Sequence, residues 1–134
     1  MASDEHDRDE RSQQFPFEGL HVYQRAQEAW SLARSTLTDD TLGPAVEREI
    51  QQAATGIARA TARSRSNGGF TSDLEEARGS LHAAAALVDQ LARQGQPVDE
   101  ELRTLLLDGG RMLGALVRSL ANGREAAEPA EVAA

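Results

Sequence analysis

The chain has 134 residues, enough for one domain with a real core, and 40% of them are hydrophobic while aromatics make up only 4%. It contains no cysteine and no lysine, so all 14 basic residues are arginine; disulfides, thiolate metal sites, cysteine nucleophiles, a phosphate-loop lysine and Schiff-base chemistry are excluded. The formal net charge of -8 opposes non-specific nucleic-acid or membrane binding by the whole surface, and no apolar run approaches the roughly 18–20 residues of a membrane span.

Residues 1–14 (MASDEHDRDERSQQ) carry five acids against Arg8 and Arg11, lack apolar periodicity, and read as a disordered acidic tail. They lack the basic and apolar regions of a signal peptide, so the expected location is the cytoplasm. Residues 15–122 are expected to form one helical domain, and 123–134 (GREAAEPAEVAA) a second disordered tail. Abundant Leu and Ala with few β-branched residues favour helices over strands.

Four amphipathic stretches follow in order. The first, about 18–37, places Leu20, Tyr23, Ala26, Trp30, Ala33 and Leu37 three or four apart and assigns them to the core. TDDTLGP interrupts it, with Pro44 near a first helical position, where its missing N–H is harmless. The second, about 44–65, has the stripe Val46, Ile50, Ala53, Ile57 and Ala60 and stops at SNGG, 66–69. The third, about 72–94, opens on a Ser72/Glu75 capping box and keeps Leu74, Ala77, Leu81, Ala84, Val88 and Leu91 in register. Gln94-Gly95 and Pro97 end it. The fourth starts at Asp99 as N-cap, with Glu100 and Glu101 in its first turn, and buries Leu102, Leu106, Gly109, Leu113, Leu116 and Leu120, flanked by Leu105, Met112 and Val117. Short connections make successive helices antiparallel neighbours. The predicted fold is all-α, an antiparallel up-down-up-down four-helix bundle.

Gly79-Ser80 interrupts the third helix, where glycine costs about 1 kcal/mol relative to alanine. With Leu74 inward, Gly79 points outward and lines up with Ala83 and Ala86. That face of small residues is the expected subunit contact. On the second helix Arg48, Gln52, Thr55, Arg59 and Arg63 share an outer face, and the third helix begins with Asp73, Glu75 and Glu76. A basic face on one subunit against an acidic edge on the next would build a head-to-tail ring; the competing reading is two ordinary solvated faces.

FEGLHVYQRAQEAW at 17–30 resembles the opening of the four-helix-bundle proteins related to those encoded in 23S ribosomal RNA intervening sequences. The pattern Leu-x-Val-Tyr/Trp-x-x-Ala is matched by Leu20, Val22, Tyr23 and Ala26. Ala-x-Gly-Ser-Leu of the family's third helix is matched by Ala77, Gly79, Ser80 and Leu81. The resemblance spans about 17–121 and implies a homopentameric ring. A related branch comprises accessory proteins of diversity-generating retroelements, whose basic surfaces engage reverse transcriptase and nucleic acid. This chain departs from the pattern in two places. Gly56, Ile57, Ala58, Arg59 and Ala60 stand where the family has Asn-Ile-Ala-Glu-Gly, and His82-Ala83 follows Leu81 in place of a glutamate.

No catalytic or metal constellation emerges. A di-metal carboxylate bundle needs two Glu-x-x-His pairs and further inward glutamates. Only Glu18 and His21 have that spacing; His82 has Gly79 three residues before it, and His6 lies in the tail. Ser80 lacks a nucleophile-elbow context. The glycines at 68–69 and 109–110 lack a phosphate-loop pattern and read as a turn and a helix-packing feature. Arg48, Arg59, Arg63 and Arg65 are the candidate anion or nucleic-acid contacts, since guanidinium groups grip phosphates at two points. The sequence therefore predicts a non-enzymatic, cofactor-free, homo-oligomeric binding or scaffolding module without a membrane partner. Partners would be further copies of itself and a second protein; the alternative is a nucleic-acid or ribonucleoprotein accessory using those four arginines.

Overall fold

A computed structural model describes residues 20–63 and 68–133, with side chains described for 20–63 and 69–119. The order is α1 His21–Thr36, α2 Leu42–Ala62, α3 Gly68–Arg93 and α4 Glu100–Ala133, with no strand among the described residues. Close backbone approach runs between α1 and α2, α2 and α3, α3 and α4, and α4 and α1, most extensively between α2 and α3. The four helices thus enclose one core.

Local chemistry sets the helix ends. Asp39 caps α2: its Oδ1 accepts the backbone N–H groups of Leu42 at 2.6 Å and Thr41 at 2.9 Å. Those two bonds, Leu42's the stronger, hold the Asp39 carboxyl below its ordinary value. Pro44 is the third residue of α2, still within the turn whose N–H groups have no intrahelical acceptor. Asp99 caps α4 as expected, with Oδ1 accepting the Glu101 N–H at 2.8 Å. At the end of α3, Gly95 takes φ +82°. The Gln96 N–H reaches the Leu91 carbonyl at 3.0 Å and the Gly95 N–H reaches Ala92 at 3.1 Å, the paired bonds of a Schellman stop.

The predicted start of α3 is corrected. The helix begins at Gly68, so Ser72 and Glu75 lie inside it and form no capping box. The extra turn carries Phe70 into the core, where it is buried. Residues 64–67, and with them half of the expected SNGG stop, lie outside the described residues, as does the segment 1–14; the other half, Gly68 and Gly69, read as a turn, is instead the first part of α3. The α4 backbone continues through 123–133, beyond the end of the domain read from the sequence.

The stripes of α2 and α3 are buried at every expected position, from Val46 to Ala60 and from Leu74 to Leu91. In α4, Leu102, Leu105, Leu106 and Leu113 are buried and Leu116 is half-buried, while the side chain of Leu120 is outside the described set. Glycine permits the closest contacts. A Cβ on Gly56 would stand 3.3 Å from Ala77 Cβ and 3.4 Å from the Asp73 carbonyl; one on Gly109 would stand 2.9 Å from Leu81 Cδ1. Gly109 is the helix-packing feature its sequence context implied.

The expectation for α1 is rotated. Its buried residues are Val22, Ala26, Ala29 and Ala33, whereas Tyr23 and Trp30 are only half-buried. Small alanines let α1 settle close to its neighbours, and that approach leaves no room for large rings at the centre. The rings move to the flank facing α2.

Candidate functional site

A groove runs along each flank of α2. Arg48, Gln52, Thr55 and Arg59 are spaced by four, three and four residues and so share one face of the helix. With Glu76 and Ser80 of α3 they line a groove of about 380 Å³. Its floor is the Gly56–Ala77 contact, where the two backbones come so close that the long side chains on either side become walls. Arg48 and Arg59 stand three turns apart, about 16 Å along the axis. They do not converge on a single anion; they mark the two ends of an elongated groove.

The arginines expected to act together are divided. Arg63 Nε donates to Asp73 Oδ2 at 2.8 Å, and Arg59 Nη1 lies 4.0 Å from Asp73 Oδ1. Asp73 is buried, with 10% of its side chain exposed. The basic face and acidic edge assigned to two different subunits thus meet, through Asp73, within one chain. A buried carboxylate needs such a partner, and Arg63 supplies it. Arg65 lies outside the described residues. Among the described residues Arg48 forms no ion pair and faces the groove.

The opposite flank of α2 carries a groove that the sequence reading missed. Tyr23, Gln27 and Trp30 of α1 and Gln51, Ala54, Thr55 and Ala58 of α2 enclose about 410 Å³, with Ile50 at its base. Gln27 Nε2 donates to Tyr23 Oη at 3.0 Å. The Arg34 guanidinium lies 4.7 Å from the Trp30 ring centroid, a cation–π contact. Trp30 Nε1 is shielded from solvent and meets no acceptor among the described residues. The signal for this groove was present in the alanines at 26, 29 and 33, which set a narrower stripe than the aromatics imply. Gln51 and Thr55 border both grooves, so α2 forms a ridge between an aromatic trough and an arginine-ended trough.

The expected subunit face lies on the outside of α3. Gly79 is exposed, and a Cβ there would meet nothing within 4 Å. Ala86 is exposed and Ala83 half-buried on the same face. Ala86 also lines a groove of about 270 Å³ with Ala85, Asp89, Arg103 and Leu107. Leu107 is 49% exposed, the large apolar side chain left outside among the described residues. In the run Leu105-Leu106-Leu107 the helix can turn only two inward, so the third was predictable as an outlier. The Asp89 carboxyl is held below its ordinary value by its hydrogen bond from Arg93 at 2.8 Å and by that arginine's charge.

Nothing described gathers three or more His, Asp or Glu side chains into a metal-holding group. His21 and His82 are both exposed, and Glu18, the other half of the Glu-x-x-His spacing, is outside the described residues. No described helix is long and apolar enough to cross a membrane. No family model, curated protein or solved structure matches the chain.

Proposed function

We propose that the chain is a non-enzymatic module that self-assembles through the outer face of α3 and acts by binding or scaffolding in the cytoplasm. In this reading the helices form an antiparallel up-down-up-down bundle, supported by the short connections and by the cyclic order in which neighbours pack. The observation that carries the proposal is the open face of Gly79, Ala83 and Ala86 beside the exposed Leu107. Small residues admit a close helix, and Leu107 supplies apolar area to bury. The proposed assembly is a homopentameric ring, as the family resemblance implies.

Light scattering on a sizing column at low and high salt tests this. A salt-resistant oligomer that Leu107→Glu and Gly79→Leu reduce to a 14.4 kDa chain is the expected result. A wild-type monomer at every concentration and salt level would overturn the assembly.

A second reading rests on Arg48 and Arg59 at opposite ends of one groove. That spacing suits an extended polyanion, and the chain would then be a nucleic-acid or ribonucleoprotein accessory. Fluorescence anisotropy with short RNA and DNA strands separates the two readings, because phosphate binding weakens steeply with salt and packing of apolar faces does not. Loss of binding in Arg48→Gln and Arg59→Gln would favour the second.

A further inference from the structure

The groove between α3 and α4 carries three arginines and a histidine that neither reading uses. Arg78 and His82 of α3 and Arg111 and Arg118 of α4 line about 240 Å³ over Gly110 and Gly114. The glycines are one turn apart, so the floor is bare helix backbone and the long side chains lie down across it. A Cβ on Gly114 would stand 3.3 Å from Arg118 Nη1 and 3.5 Å from Arg78 Nε. Guanidinium groups from two helices therefore both lie against Gly114.

Like charges that line one groove repel, and an anion bound between them offsets that repulsion. The carboxylates nearby do not fill that role. Glu75 Oε2 reaches Arg78 Nη1 only at 3.8 Å, and Asp108 Oδ1 reaches Arg111 at 3.8 Å, both one turn away on the same helix and too long for hydrogen bonds. Among the described residues no carboxylate pairs with Arg118. Arg78 Nε is shielded from solvent and meets no acceptor among the described residues, an arrangement that is unfavourable unless something accepts that proton. The unmet Arg78 donor and the Arg118 guanidinium both lie beside Gly114.

We infer that Arg78 and Arg118, seated on Gly114, form a binding site for a phosphate-type oxyanion. The planar guanidinium fork matches tetrahedral oxyanions at two points, and here forks from two different helices border the same groove. Arg111 also lines the groove and adds positive charge there despite the net charge of -8. The groove has room for a small phosphate monoester as well as for free phosphate, and the shared chemistry is the dianionic phosphoryl group.

The test follows the arginine Nε–H signals of the full ¹⁵N-labelled chain by NMR. Inorganic phosphate is added against sodium chloride at matched ionic strength, and phenyl phosphate is titrated in parallel. Saturable shifts confined to Arg78 and Arg118, with Arg25 on α1 unmoved, are expected. Arg118→Gln and Gly114→Ala should each weaken phosphate binding by ~10-fold or more. Gly114→Ala tests the seat itself, because alanine favours the helix while its methyl would press on the Arg118 guanidinium at 3.3 Å and on Arg78 Nε at 3.5 Å. Tighter binding of phenyl phosphate would assign the site to a monoester, and equal affinity to free phosphate. Shifts that never saturate, that spread equally to Arg25, or that survive Gly114→Ala unchanged would overturn the site.

Discussion

The same substitution, glycine to alanine, should have opposite effects at two positions in this fold. At Gly79 the new methyl enters open space, since nothing lies within 4 Å. Only the helix-propensity gain remains, about 0.8–1.0 kcal/mol, which for a domain of this size raises Tm by about 3–5 °C. At Gly56 the propensity gain is the same, but the methyl meets Ala77 Cβ at 3.3 Å and the Asp73 carbonyl at 3.4 Å. Neither atom can rotate away, because one is a Cβ and the other backbone. Overpacking of that kind costs about 1–3 kcal/mol, so Gly56→Ala should be neutral to destabilising by about 2 kcal/mol. Urea unfolding followed by circular dichroism, at a dilution where sedimentation shows single chains, measures both. If Gly79→Ala lowers the midpoint, or Gly56→Ala raises it as much as Gly79→Ala does, the packing argument is wrong. At concentrations where the chain assembles, Gly79→Ala should weaken the assembly while still stabilising the single chain.

Arg63→Ala removes the closest partner of buried Asp73 and should cost about 1–2 kcal/mol in urea, less than a fully buried pair because the Arg63 side chain is 42% exposed. Asp73→Ala combined with it should cost less than the two single changes added together, and strict additivity would refute the coupling. Leu81→Ala should cost about 3–5 kcal/mol, toward the upper end for a core leucine, since Gly109 beside it offers no side chain to fill the cavity. The depressed Asp39 carboxyl stabilises the fold above its ordinary value of 3.8, and that contribution fades as pH falls below 3.8 through the lower folded-state value. Thermal melts across that window should show the advantage of wild type over Asp39→Ala shrinking with acid; an advantage independent of pH would refute the cap's charge dependence.

The parts of the fold legible in the sequence are those where large and small residues agree on one face. In α2 and α3 the β-branched residues, leucines and alanines fall on a single stripe, and every expected position is buried. Asp99 and Gly95 were legible because caps and stops depend on local backbone chemistry alone. The face of α1 was not, because its aromatics and its alanines lie on neighbouring stripes and reasoning from size favoured the aromatics. The start of α3 was missed for a related reason. Ser72 and Glu75 have the right spacing for a cap, but burial of Phe70 outweighs a cap worth about 1 kcal/mol. Charge counting along the chain likewise could not reveal that Arg63 is committed to Asp73, since the two meet only when α2 and α3 pack.

These outcomes share one cause. Gly56, Ala53 and Ala60 on α2, Ala77 and Ala84 on α3, and Ala26, Ala29 and Ala33 on α1 are all buried, so the helices approach through small residues. Close approach leaves long side chains no place inside, and they become the walls of grooves along three of the four seams: Trp30 and Tyr23 between α1 and α2, Arg48 and Arg59 between α2 and α3, Arg78 and Arg118 between α3 and α4. The same rule governs the outer face of α3, where Gly79 has no neighbour in its own chain. A helix from a second copy settling on Gly79, Ala83 and Ala86 would repeat between chains the packing that α2 and α3 make within one. The binding surfaces proposed for this protein thus follow from its shortage of bulk at the helix contacts, and an added methyl at Gly79 or Gly114 tests that dependence at each surface separately.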